Sequence, residues 1–134
     1  MANLQYFTYP GHGVKVGDFF GYSQAVRVGD RLECSGQGGW DTTTGEVPAD
    51  LMEEIDQAFA NVDYNLRHAG GKGWSQVFRV NIYYTDGSPE ALGRMAENMK
   101  KWMPNHRPIL TGVGVKELAL EGMRVEIEVS AYLA

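Results

Sequence analysis

Only one cysteine, Cys34, stands in the 134-residue chain. With a single thiol the chain closes no disulfide on itself and builds no multi-cysteine zinc site. Basic residues are also scarce, 12 Lys and Arg against 17 Asp and Glu, for a net charge of -5. Affinity for nucleic acid comes largely from clustered Lys and Arg, so this balance argues against a broad phosphate-binding surface. The one small basic cluster, Lys100 and Lys101 with His106 and Arg107, reads as a solvated helix end. No apolar run approaches the roughly 20 residues of a membrane-spanning helix. The start, MANLQYFTYPGHG, has no basic region followed by an apolar core, so no signal peptide is expected and a cytoplasmic location is the default. His12, His68 and His106 are scattered without metal-ligand spacing, which predicts surface or capping roles and no metal. Repeats, low-complexity tracts and linkers are absent as well, and residues 1–134 read as one domain with room for a core.

What is present is organised by periodicity. Met1 to Asp18 is rich in glycine and aromatics and reads as irregular, with a turn at Tyr9-Pro10-Gly11. Phe19 to Val28 and Arg31 to Ser35 read as strands joined by Gly29-Asp30 into a hairpin. After the loop GQGGWDTTTGEVP, Asp50 is placed to cap a helix from Leu51 to about Ala69, with Glu53 in position for a capping box. Leu51, Ile55, Ala58, Phe59, Val62 and Leu66 form its apolar stripe, and Gly70-Gly71 stops it. Gln76 to Thr85 alternates as a strand, with Phe78, Val80, Ile82 and Tyr84 on one face and Val77, Arg79, Asn81 and Tyr83 on the other. Ser88 and Pro89 open a second helix whose buried stripe is Leu92, Met95, Ala96, Met99 and Trp102. The methionines and the Trp74 and Trp102 rings read as core or subunit packing. Ile109 to Val115 and Arg124 to Tyr132 are the last strands, the second with Val125, Ile127, Val129 and Ala131 facing one way. This order, β-β-α-β-α-β-β, predicts an α+β layer pair with two helices on one face of a mixed sheet. The other face mixes Arg79, Asn81, Glu126 and Glu128 with Val77 and Tyr83, which suggests burial against other subunits around a cavity.

The stretch ECSGQGGW, residues 33–40, admits three readings: a phosphate cradle, a nest for a nucleophile, or a turn. It lacks the Lys-Ser/Thr ending of a phosphate-binding loop, and no helix starts directly after it. On a strand Cys34 points away from Ser35, so the thiol reads as a small buried hydrophobe.

Three longer strings carry a resemblance. GYSQAVRVGDRLECSGQGGWDTTTGEVP, AGGKGWSQVFRVNIYYTD and VGVKELALEGMRVEIEVSAYL resemble, in one order and register over residues 20 to 133, the signatures of the RidA/YjgF family, reactive intermediate deaminases also labelled endoribonuclease L-PSP. The resemblance implies a chorismate-mutase-like fold: a six-stranded mixed sheet, two helices on one face, and a homotrimer with small-molecule clefts between subunits. It implies hydrolysis of reactive enamines and imines, such as 2-aminoacrylate, to a keto acid and ammonia without a metal or organic cofactor. Matched residue by residue, Glu126 would orient water, Ser35 and Tyr22 would complete the catalytic pocket, and Gly36 would offer a backbone donor. The family's carboxylate-binding arginine falls at Leu110 and its usual cysteine at Gly112; Arg107, three residues upstream, replaces that arginine only if the strand bulges or the loop folds back. Trp40 and Arg124 are further candidate binding residues, Arg124 because it lies two residues before Glu126. Glu128 is expected in a structural ion pair. The alternatives are a non-catalytic trimeric ligand-binding or protein-protecting module and, against the charge balance, a ribonuclease.

Overall fold

The buried row Val125, Ile127, Val129 and Ala131 makes the last strand the spine of the molecule. In the computed structural model, which describes residues 3–134, this strand is β7 (Val125–Tyr132) and lies centrally in a mixed sheet. The other strands are β1 (Gln5–Phe7), β2 (Ala25–Val28), β3 (Arg31–Cys34), β4 (Gln37–Gly38), β5 (Val77–Tyr84) and β6 (Ile109–Gly114). Their order is β1-β2-β3-β7-β5-β6, with β4 also paired to β7. All pairings are antiparallel except β5 with β6, which are parallel and joined through helix α3 (Pro89–Trp102). Helix α2 (Leu51–His68) packs on the same sheet face, and a 3-10 turn at Gly73–Gln76 leads from it into β5. The core lies between these helices and the sheet, where Trp74 stacks on Phe59 at 5.2 Å between ring centroids.

Both long helices begin as their caps dictate. The Asp50 carboxylate accepts from the Glu53 N–H at 3.0 Å, and the Ser88 hydroxyl accepts from the Ala91 N–H at 3.2 Å. The apolar stripe of α2 is buried as expected from Ile55 to Leu66. That of α3 is rotated: Ala91, Met95 and Asn98 are buried, whereas Leu92 and Ala96 are exposed. Asn98 turns inward because it donates to Asp56 of α2 at 2.8 Å.

Five further expectations change. The segment before Asp18 is not irregular: it holds β1 and a helix, α1 (His12–Phe20), while Met1 and Ala2 lie outside the described residues. Phe19 and Phe20 therefore end a helix, and β2 starts only at Ala25; Gly21, at φ 79, supplies the left-handed C-cap that turns the chain between them. Among the described residues the sheet counts seven strands rather than six, and α1 adds a third α-helix to the two expected. Val77 joins the core instead of the Arg79 face, because a register shift between Val77 and Arg79 breaks the alternation. His12, expected at the surface, is buried against the Trp40 ring at 4.6 Å.

Asn61, fully buried on α2, ties this helix to the loop after β4 by donating to the carbonyls of Gly38 and Trp40 at 2.8 and 2.7 Å. Asn61→Ala leaves both carbonyls without a partner and is expected to cost about 2 kcal/mol in urea unfolding; an unchanged midpoint would contradict that role.

Candidate active site

The strand that begins as β3 does not continue straight into β4. Glu33 pairs with Ser130 and Gln37 with Ile127, so one extra residue is accommodated between them and the chain bulges at Ser35-Gly36. The bulge keeps Cys34 in the core and directs Ser35 into a cavity of about 380 Å³. Burial pushes the Cys34 thiol up to about 12, so it is inert as a nucleophile.

Tyr22, Ser35, Gly36, Trp40 and Glu126 all line this cavity. Strand β7 brings Glu126 to it while Val125 and Ile127 anchor in the core on either side. The Ser35 hydroxyl donates to the Ser23 carbonyl at 2.7 Å, which fixes its oxygen and leaves lone pairs toward the cavity. Gly36 lies against the Glu126 carboxylate so closely that an added Cβ would overlap it. Trp40 is buried in the wall, its indole N–H donating to Tyr9 Oη at 3.0 Å; Tyr9 in turn donates to Gln37 at 2.7 Å, and Gln37 to Gln24 at 2.8 Å. Trp40 thus shapes the cavity with its ring, not with its polar atom. The remaining wall is apolar, from Val16 and Phe20 of α1 and from Ala119, Leu120 and Met123 before β7.

Burial raises the Glu126 carboxyl above its ordinary value of 4.5, and the charge of Glu128 adds to the shift. Glu128 is not in the expected ion pair: its carboxylate accepts from the Tyr83 hydroxyl at 2.5 Å and from the Asn81 amide at 3.2 Å. Burial also raises the Tyr22 hydroxyl, with the Glu126 charge contributing.

Two candidate residues fall elsewhere. Arg107 lines a separate depression with Leu110, His106 and the end of α3. Arg124 precedes β7, outside the alternation that was expected to put it beside Glu126. Its backbone N–H and guanidinium donate to the fully buried Glu54 carboxylate at 2.7 and 2.6 Å, and the guanidinium also reaches the carbonyls of Pro48 and Ala49. The sequence reading missed α1, which supplies Val16 and Phe20. The spacing of Val16 and Phe20, four apart on one helical face, was the available signal.

An α+β sheet with helices on one face, and a bulged strand opening a small acid-bearing cavity, is the class of protein the geometry defines. The family model described as Endoribonuclease L-PSP matches residues 16–133. A "RutC family protein" of Aquifex aeolicus is 40% identical over 111 residues, 82% of this chain and 86% of that protein. A "2-iminobutanoate/2-iminopropanoate deaminase" of Dermatophagoides farinae is 36% identical over 108 residues, 80% of this chain and 81% of that protein. The crystal structure of a Mycobacterium tuberculosis member of the YjgF/YER057c/UK114 family superposes with a TM-score of 0.79 at 26% identity, covering 97% of this chain and 99% of that one. The chain belongs to the RidA/YjgF family.

Two stability predictions follow from the site's charges. Arg124→Met leaves Glu54 buried without its partner and is expected to cost about 3–5 kcal/mol, most of it recovered in the Glu54→Met/Arg124→Met double variant; chemical unfolding of both measures this. For Glu126, a raised folded-state pKa means that the folded protein holds this proton more tightly than the unfolded chain. Its contribution is full below the ordinary value of 4.5 and is lost as pH rises through the folded value. Glu126→Gln should therefore melt higher than the parent at neutral pH, by about 3 °C for each kcal/mol recovered. The gap should close as pH falls below the ordinary glutamate range; a gap independent of pH would contradict the burial of charge.

Proposed function

We propose that the chain hydrolyses reactive imines and enamines, working as a homotrimer whose cavities are closed at the subunit junctions. The observation that carries this reading is the Glu126 carboxyl, raised by burial and facing a small cavity beside Ser35, Gly36 and Tyr22. The name of the Dermatophagoides relative points to the same chemistry. An imine carbon is already electrophilic, so the protein has to hold the substrate, position water and move protons. An enamine first takes a proton at its β-carbon to become the imine. The imine takes a proton from solvent to become the iminium, and water adds to its carbon as one water proton passes to Glu126. Glu126 returns that proton to the nitrogen, the C–N bond breaks with its electron pair going to nitrogen, and the hydroxyl proton passes to the departing ammonia, leaving a carbonyl compound and ammonium. A carboxyl with a raised pKa suits both halves of this cycle. The Tyr22 hydroxyl and the Gly36 amide are neutral donors available to the reacting heteroatoms.

The trimer is supported by β6, an edge strand exposed along its whole length, with Ile109 and Leu110 more than half exposed. Ribonuclease chemistry is disfavoured because, among the described residues, no Lys or Arg lines the cavity.

Imines formed in the assay by flavin oxidases, from amino acids and from simple amines, test the reading by the rate of carbonyl release. At least one should be hydrolysed faster with the protein present, and Glu126→Gln should lose about 10²–10⁴-fold. Gly36→Ala should lose activity at nearly parental Tm, because the new methyl displaces the Glu126 carboxylate without disturbing the core. Activity that survives Glu126→Gln would overturn the reading, and a monomer by light scattering would overturn the assembly.

A further inference from the structure

The lining of the cavity says which imines fit, given the hydrolytic reading above. Among the described residues, the only charged side chain in it is the Glu126 carboxylate, and Glu128 lies close enough to raise its pKa. The cations that might offset these charges are engaged or placed elsewhere. Arg124 is held by Glu54 and two carbonyls, Arg31 and Arg79 line a different depression, and Arg107 a third. A second copy that closed the cavity with the exposed edge β6 would add none from the strand itself, since ILTGVG carries no charge; Arg107 and Lys116 lie two residues outside its ends. A substrate carboxylate would meet like charge in a partly desolvated cleft, with no counter-ion to repay its lost hydration.

The same lining favours the opposite kind of molecule. Phe20 is 53% exposed at the cavity mouth, and its ring meets that of Tyr22 edge-on at 6.3 Å between centroids. With Trp40 and Met123 these rings give the cavity that Glu126 also lines a polarisable, largely apolar lining. Aromatic faces and a carboxylate together bind organic cations. An imine becomes such a cation when protonated for attack. The volume, about 380 Å³, also exceeds what a three- or four-carbon acid fills and has room for a ring.

We propose that the cleft takes imines that lack a carboxylate and bear an aryl or similarly flat apolar group, bound as the iminium between Glu126 and the Phe20, Tyr22 and Trp40 rings. For an aryl aldimine the step balances simply. The oxygen of water bonds to the iminium carbon as the C=N π pair moves to nitrogen, and one water proton passes to Glu126. Glu126 returns it to the amine, and the C–N bond breaks with its electron pair going to nitrogen. The hydroxyl proton leaves with the ammonia, giving an aryl aldehyde and ammonium.

Two measurements on the full-length protein separate this proposal from the hydrolytic reading on which it rests. The first is equilibrium binding by thermal shift, with benzamidine as a stable mimic of an aryl iminium and 2-oxobutanoate as the anion. Benzamidine at about tenfold over its Kd should raise Tm by roughly 3 °C, and 2-oxobutanoate at the same concentration should not. The second compares phenylmethanimine, formed from benzylamine by a flavin amine oxidase, with 2-iminopropanoate, formed from D-alanine by a flavin amino-acid oxidase. The kcat/KM for the phenyl imine should be at least ~10-fold higher, and Phe20→Ala should cut the ratio of the two by a similar factor. Equal or better turnover of 2-iminopropanoate, or stabilisation by 2-oxobutanoate alone, would overturn the substrate class and leave the hydrolase standing. Binding of benzamidine with neither imine accelerated would keep the ligand class and remove the hydrolase.

Discussion

Three buried polar side chains on one helix hold the site together. Glu54, Asn61 and Asn65 of α2 are all essentially inaccessible to water, and each reaches out of the helix to another segment, although Asn61 also accepts from Gln57 one turn earlier at 2.8 Å. Asn65 donates to the carbonyl of Gln24 at 3.0 Å, Asn61 to those of Gly38 and Trp40, and Glu54 accepts from Arg124. Each anchor lies within a few residues of a cavity-lining group: Gln24 beyond Tyr22, Gly38 beyond Gly36, Arg124 before Glu126. A buried polar group that loses its partner is costly, so the three segments have one low-energy arrangement relative to the helix. The helix buries its apolar stripe to make the core and uses the adjacent stripe to fix the loops. Preorganisation of the cavity is thus a by-product of folding.

The proton affinity of Glu126 is set by what surrounds it. Its neighbours in sequence, Val125 and Ile127, are locked in the core, so the backbone of Glu126 is held at the cleft. Glu128, on the same face, accepts from Tyr83 and Asn81, and its charge adds to the burial that makes the proton on Glu126 harder to lose. Gly36 leaves the space that the carboxylate occupies. Desolvation and a like charge, unrelieved by a cation, are the conditions under which a glutamate moves toward the range useful for giving and taking protons.

Much of this was legible beforehand, and the failures have physical causes. The period of α2, its Asp50 cap, the Ser88-Pro89 start of α3 and the alternation along β7 are local signals, and local physics decided them. The grouping of Tyr22, Ser35, Gly36 and Glu126 came from the resemblance, since these residues lie on different segments and no spacing rule joins them. The misplacements came where a long-range contact overrode a local pattern. Phe19 and Phe20 look like strand residues but end a helix that starts where the His12 N–H donates to the Thr42 carbonyl at 2.8 Å. Leu92 and Ala96 yield the inner face of α3 to Asn98 because Asp56 waits on α2. Arg124 fits the alternation with Glu126 on paper, but a buried carboxylate 70 positions away in sequence claims it.

That last competition has a consequence for charge. Cations here are committed to structure: Arg124 to Glu54, Arg94 to Asp56 at 2.6 Å, Arg67 to Asp63 at 2.8 Å. On the open sheet face the pattern is mixed: Glu33 accepts from Ser130 and pairs with Arg31 at 3.6 Å, whereas Glu128 is met by the neutral donors Tyr83 and Asn81. The net charge of -5 is therefore met unevenly: these guanidiniums answer acids of α2, while among the described residues no Lys or Arg lines the cavity that Glu126 faces.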